Sequence, residues 1–276
     1  AQPGMPLSAD IAVLGLGAVG SWALRSASSH SIRAIGVEMF DVGHANGSSH
    51  GGARATRSAY FEHPDYVPLI RWSTEHIRAL EREVGESLME LCGTLLLAER
   101  GADLLTSSAD SARQFGIATQ HISRDDLRRR YPHFDLPERF VGLLEPDAGF
   151  IRVEPSLAAT QRSARERGAR ILDNTKVTSL TSMDGGVLIR TNREDIRAGA
   201  VVVCAGAWSS ELLPEYRPWL HVTRQIQAWL SPPADGAPSL RPDSLPCWLI
   251  DRGPLPPLYG VPVDPLAPGR RPVDLK

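Results

Sequence analysis

Six residues constrain this chain most: Gly15-Leu-Gly17-Ala-Val-Gly20, set between the apolar run Asp10–Leu14 and a stretch able to begin a helix. With this spacing Gly15 allows a tight strand-to-helix turn, and Gly17 lets backbone N–H groups approach a pyrophosphate. Gly20 lets the helix lie close to the strand. A second strand is expected over Ile32–Val37, closing on Glu38, eighteen positions past Gly20, where a ribose hydroxyl needs an acceptor. The order strand, glycine turn, helix, strand, acid points to a dinucleotide-binding α/β unit and away from an ordinary glycine-rich turn. Two residues fit poorly. Leu24 stands where such helices often carry a small side chain, and Gly36 interrupts the second strand.

The rest of the chain alternates in the same way. Gly43–Gly52, with Asn46-Gly-Ser-Ser-His50-Gly-Gly52, is a glycine- and serine-rich loop. Helical periodicity runs over Tyr66–Val84 and stops at Gly85; Cys92–Ala98 reads as a strand, Leu104–Phe115 as a helix and Asp125–Tyr131 as a short helix ended by Pro132. A second αβ unit begins near Glu154, with a helix to Arg167, a strand over Arg170–Asn174 and hairpin strands Val177–Ser182 and Val187–Thr191 across Asp184-Gly-Gly186. Ile196–Cys204 is a further strand, leading into Ala205-Gly206-Ala-Trp208. From Pro214 onward prolines are frequent, and short strands at Gln225–Leu230 and Cys247–Asp251 suggest an antiparallel sheet.

Composition excludes more than it selects. The 276 residues suffice for two ordinary domains, and a net charge of −2 gives no reason to expect nucleic acid or an anionic membrane as partner. The charged run Arg124–Arg130 reads as a solvated helix face. Three cysteines, Cys92, Cys204 and Cys247, show neither metal nor redox-pair spacing, and the histidines show no metal spacing either. Ala1–Ala9 lacks the pattern of a signal peptide, Met5 close to the start reads as a processing remnant, and no stretch approaches a membrane span. A cytoplasmic location in a reducing compartment is the expectation.

Several strings together resemble the FAD-dependent amine oxidases of the monomeric sarcosine oxidase and N-methyltryptophan oxidase type. They are His44-Ala-Asn-Gly-Ser-Ser-His50-Gly-Gly-Ala-Arg54-Ala-Thr-Arg57-Ser-Ala-Tyr60, then Tyr66-Val-Pro-Leu69, Glu145-Pro-Asp-Ala-Gly149, Cys204-Ala-Gly-Ala-Trp208 and Tyr259-Gly-Val-Pro262. The resemblance spans about residues 10–262. It implies an FAD-binding Rossmann-like domain with a parallel sheet, residues 1–87 and 149–213, and an inserted α+β substrate domain with an antiparallel sheet, residues 88–148 and 214–276. Gly15, Gly17, Gly20, Glu38 and Ser48 would hold the cofactor, with the Val177 backbone at the adenine and Gly206 and Trp208 in a segment covering the nucleotide. Arg54 and His50 would lie near the flavin ring, and Arg57 would grip the substrate carboxylate with Tyr60 lining the pocket.

The implied reaction takes a hydride equivalent from the carbon beside a secondary amine, as in sarcosine. The resulting imine is hydrolysed, and oxygen is reduced to hydrogen peroxide. Partners would be an N-alkyl amino acid and oxygen, acting on a monomer. The family attaches its flavin covalently through a later cysteine, and none of Cys92, Cys204 and Cys247 has that context, so covalent FAD is not expected. A lysine tied in the family to oxygen activation finds only Arg271 or Lys276 as candidates. Similarity fades after Val263, so the chain reads as C-terminally incomplete. Two other readings stay open: a non-catalytic FAD-binding fragment, and an NAD(P)-dependent dehydrogenase using the same glycine turn.

Overall fold

The computed structural model describes residues 6–28, 32–230 and 237–266. Met5, Arg271 and Lys276 lie outside the described residues. In chain order the elements begin with β1 (Leu7–Leu14), α1 (Ala18–Ser28), β2 (Ala34–Val37), β3 (Ala53–Thr56) and α2 (Tyr66–Val84). Next come β4 (Met89–Glu90), β5 (Thr94–Glu99), α3 (Asp103–Phe115), β6 (Gln120–Ile122), α4 (Arg124–Arg130), β7 (Phe140–Glu145) and β8 (Gly149–Arg152). They are followed by α5 (Val153–Glu166), β9 (Arg170–Leu172), β10 (Val177–Met183), β11 (Gly186–Thr191), β12 (Ile196–Val203), β13 (Cys247–Arg252) and β14 (Leu255–Gly260).

These elements form two compact units, Ala1–Gly51 with Val153–Ile226, and Gly52–Arg152 with Gln227–Lys276. The first unit is built on a six-stranded sheet of order β10-β11-β12-β1-β2-β9. Its parallel part runs β12, β1, β2, β9, and the β10–β11 hairpin adds two antiparallel strands at one edge. On one face Ala12, Leu14, Ile35, Val37, Ile189 and Ile196 pack together; on the other Val13, Leu16, Leu24 and Ala34 meet Ala164 of α5. Alternate residues of β1 thus feed opposite faces, as a strand covered on both sides requires.

The two misfits of the sequence explain each other here. A Cβ on Gly36 would lie 2.7 Å from Leu24 Cδ2 and 2.9 Å from Leu16 Cδ2. The glycine in β2 makes the room that the fully buried Leu24 of α1 fills.

The second unit holds a five-stranded sheet, β14-β13-β5-β7-β6, and a three-stranded one, β3-β8-β4. The small sheet is antiparallel throughout, whereas the larger is mixed because β13 joins β5 in parallel. The expected antiparallel sheet is therefore antiparallel only in part. Residues 52–87, expected with the nucleotide-binding domain, belong to this second unit: β3 pairs with β8 along Ala53↔Arg152 to Thr56↔Gly149. No strand forms over Gln225–Leu230: Ile226 is exposed outside any strand, and Leu230 makes an isolated bridge. The sequence carries no expectation of β3, β4, β6, β7, β8 or β14; β3, β4 and β8 in particular draw their pairing from distant sequence.

Candidate functional site

The glycine turn is built as its spacing requires. Gly15 has φ +89°, and a Cβ there would lie 2.5 Å from the Cys204 carbonyl oxygen. A Cβ on Gly20 would lie 1.8 Å from the Gly15 carbonyl oxygen, so helix α1 can approach the turn only as glycine. Gly17 differs: within 4 Å its Cβ would meet nothing beyond the Ser49 side chain, at 3.0 Å from Oγ. Its Cβ position therefore meets none of the fold's backbone, only the Ser49 side chain.

Distant side chains fix the turn. Gln161 of α5, almost fully buried, donates to the Leu16 carbonyl and to Ser21 Oγ, each at 3.0 Å, and Ser21 Oγ donates to the same carbonyl at 2.8 Å. Ser49 Oγ accepts from the Ala18 amide at 3.0 Å, at the first residue of α1. That amide is one of the helix-terminal donors that anions use. The glycine- and serine-rich loop is thus brought onto the turn through Ser49, next to the expected Ser48. Neither Gln161 nor Ser49 carried a sequence signal that separated it from its neighbours.

Glu38 is buried at the end of β2. Its carboxylate accepts the Leu16 amide at 2.8 Å and the Phe40 amide at 3.1 Å. His44 Nδ1 accepts the Asn46 amide at 3.0 Å, which leaves the proton of a neutral ring on Nε2, 3.2 Å from Glu38 Oε1. The His44 ring lies against Phe40 at 4.7 Å, and Trp208 meets Phe40 edge-on at 5.5 Å. The Asn174 and Thr175 amides donate to the Phe40 and Glu38 carbonyls, so the chain entering Val177 runs beside the acid. Gly15, Gly17, Gly20, Glu38, Val177 and Trp208 are thereby gathered in one unit, with Gly206, at φ +52°, opening the short turn that ends at Trp208. The residues suit an FAD nucleotide: a glycine turn at a helix N-terminus for phosphate, with the Ser49 hydroxyl on the first amide of the helix, and a fixed carboxylate for hydroxyl groups. His50 and Ser48 lie in the same unit, in the loop before β3.

Arg54, Arg57 and Tyr60 belong to the second unit. Arg54 lies in β3, and its Nη1 donates to the Ala53 carbonyl at 2.9 Å. The Arg57 guanidinium lies 4.5 Å from the ring centroids of both Tyr60 and Phe61. Its Nη2 bonds Glu62, while Nε is buried with no hydrogen-bond partner. One edge of the fork therefore has a spare donor beside a single carboxylate contact. Tyr60 packs on Tyr66, with ring centroids 5.2 Å apart.

The backbone around Arg57 is held from far along the chain. The buried Glu145 accepts the Ser58 amide at 2.8 Å and the Ala59 amide at 3.0 Å. Thr94 Oγ1 donates to the Thr56 carbonyl at 2.8 Å, and the Gly149 amide donates to Thr56 Oγ1 at 3.2 Å. Among the described residues no cluster of His, Cys, Asp and Glu could hold a metal, and no helix is long and apolar enough to cross a membrane.

Known proteins with the same pattern are numerous. "Monomeric sarcosine oxidase" of Streptomyces avermitilis is 32% identical over 253 residues, covering 92% of this chain and 66% of that protein. "N-methyl-L-tryptophan oxidase" of Yersinia pestis is 32% identical over 222 residues, 80% of this chain and 59% of that protein. The chain thus spans less than two thirds of the length of either relative. NikD, described as an unusual amino acid oxidase essential for nikkomycin biosynthesis, superposes with a TM-score of 0.80 at 24% identity, over 98% of this chain and 68% of its own. The L-proline dehydrogenase of P. horikoshii follows at 0.76 and 18%, over 98% and 69%, and these two structures speak for the fold. The family model described as "FAD dependent oxidoreductase" matches residues 10–263, and the chain belongs to that family.

Proposed function

We propose that the chain serves an FAD-dependent oxidase that acts on a secondary, N-methyl amino acid such as sarcosine and yields an imine and hydrogen peroxide. The observation that carries the reading is Arg57: a permanently charged fork, braced by two aromatic rings and by Glu145, with a spare buried Nε beside the donor that Glu62 occupies. A substrate carboxylate that takes both Nε and Nη2 gains a second charge-assisted hydrogen bond over the contact it displaces. Holding that carboxylate fixes the amine and its neighbouring carbon. FAD, when bound, supplies the acceptor for the hydride equivalent and then reduces oxygen.

Gly15, Gly17 and Gly20 admit the pyrophosphate, Ser48 and Ser49 flank it, and Glu38 takes the ribose. The Val177 backbone, Gly206 and Trp208 complete the nucleotide side. Arg54 and His50 act beside the ring, and Tyr60 walls the substrate. The names of the two relatives at 32% identity support the N-methyl amino acid class. The FAD family weighs against a nicotinamide enzyme. We take the working form to be a monomer that holds FAD noncovalently in a reducing, cytoplasmic setting.

The test is the visible spectrum of the purified protein before and after acid precipitation, with a peroxide assay on sarcosine in the same sample. Flavin released into the supernatant together with peroxide production supports the reading; colourless, inactive protein rejects it. Arg57→Ala is expected to raise KM far more than it alters flavin content, and an unchanged KM would remove the clamp role.

A further inference from the structure

Cys92 and Cys247 are separated by 155 positions, yet their sulfurs lie 3.9 Å apart in the second unit. Their sequence spacing gives no hint of this, because it is the parallel pairing of β13 with β5 that brings them together. Cys247 opens β13 opposite Thr94, and its amide donates to the Gly93 carbonyl at 3.0 Å. Cys247 is fully buried among Ala53, Phe150 and Val261, while Cys92 is half-buried at the rim of that cluster.

We propose that this pair is an oxidation site: hydrogen peroxide converts Cys92 and Cys247 into a disulfide within the second unit. The supply of peroxide by the protein's own turnover rests on the function proposed above; the site itself does not.

The steps balance. The Cys92 thiolate attacks one oxygen of peroxide, the O–O bond breaks, and the departing hydroxide takes up the proton released by the Cys92 thiol to leave as water, with a sulfenic acid on Cys92. The Cys247 sulfur then attacks the sulfenic sulfur, the S–O bond breaks, and the departing hydroxide takes the Cys247 proton as water. Two thiols and one peroxide give one disulfide and two waters. The sulfurs must close from 3.9 Å to about 2.0 Å.

The order of attack follows from the two environments. The Cys247 S–H beside it holds the Cys92 thiol below its ordinary value, and Cys92 is the more accessible sulfur. Burial pushes the Cys247 thiol well up, so it waits protonated as the resolving group. The consequence reaches the Arg57 segment, because Thr94, opposite Cys247, holds the Thr56 carbonyl next to Arg57.

The experiment exposes the purified protein to peroxide in slight excess, denatures it under acid and counts free thiols, with peptide mapping under nonreducing conditions. The expected result is the loss of two of the three thiols and a linked Cys92–Cys247 peptide, with Cys204 still free. Cys247→Ser is expected to stop at a Cys92 sulfenic acid that dimedone traps, and Cys92→Ser to lose the dimedone adduct at this pair. Added peroxide makes the outcome independent of turnover, so an inactive protein that forms the link rejects the proposed function alone. Oxidation spread over all three cysteines without the link, or a link to Cys204, overturns the proposal. So does a linked peptide found only between chains.

Discussion

In the first unit the glycine turn, the proposed nucleotide cradle, is shaped by side chains that are missing: Gly15 and Gly20 let backbone meet backbone, and Gly36 lets Leu24 in. In the second unit the Arg57 segment is shaped by side chains that arrive from a distance, Glu145 from 87 positions away and Thr94 from 38. The first device is local, needs fixed spacing and leaves a motif. The second depends on which strands pair, and leaves a motif only in a chain already known to fold this way. Steric exclusion also fails abruptly when a methyl group is added, whereas a polar brace fails by degrees.

The sharpest break of the comparison is Gly20→Ala. Its Cβ would sit 1.8 Å from the Gly15 carbonyl oxygen, so a loss of about 3 kcal/mol or more and of flavin retention is expected. Thermal denaturation and the flavin-to-protein absorbance ratio would read it. Wild-type flavin content in this variant would mean that the turn is not the cradle.

Next in size is Leu24→Ala, a fully buried truncation expected to cost about 2–5 kcal/mol. Its value lies in the pair. Gly36→Ala alone collides with Leu24 and Leu16, but in the Leu24→Ala background one collision is gone and the new methyl fills part of the cavity. Denaturant midpoints of the four proteins are expected to show the second substitution costing less in that background. Additive losses would mean that Gly36 is there for its backbone and not for Leu24.

Glu145→Ala attacks the other device. It strands the Ser58 and Ala59 amides, at about 1–3 kcal/mol for each group left without water or a new partner. Glu145→Gln keeps one acceptor and is expected to recover part of both stability and substrate affinity. If Glu145→Gln behaves as Glu145→Ala in melting temperature and in KM, the carboxylate does not position Arg57.

How much was legible in the sequence follows the same division. Helix α2 was readable over Tyr66–Val84, because its period and the Gly85 stop, at φ +71°, are local. The β10–β11 hairpin was readable from its Gly-Gly turn. The mixed sheet, strand β3, the allocation of residues 52–87 and the Cys92–Cys247 pair were not, since each depends on pairing between segments that share no local signal. In the candidate site the glycines and Glu38 announced themselves, and Arg57 came only through family resemblance. Gln161, Ser49 and His44 were ordinary polar residues until the fold placed them on Leu16, Ala18 and Glu38.

The smallest expected effect asks whether polar bracing makes the second unit sensitive to acid. Glu81, near the end of α2, accepts the Leu88 amide at 2.7 Å and the Met89 amide at 2.9 Å, and pairs with Arg78, so it fastens the helix to the chain entering β4. Burial opposes its ionisation, but Arg78 and the two amides outweigh that and hold Glu81 below its ordinary value. A carboxylate lowered on folding contributes stability that is present above its unfolded value and is lost as the pH falls through the folded one. The wild-type melting temperature should therefore drop between about pH 5 and about pH 3 more steeply than that of Glu81→Gln, which starts lower at neutral pH. Hydrogen exchange at Leu88 and Met89 would place the loss: faster exchange there at low pH, with the Gly15–Gly20 amides unchanged, keeps the contrast between the units. Parallel melting curves for the two proteins would show that Glu81 holds β4 no better charged than neutral.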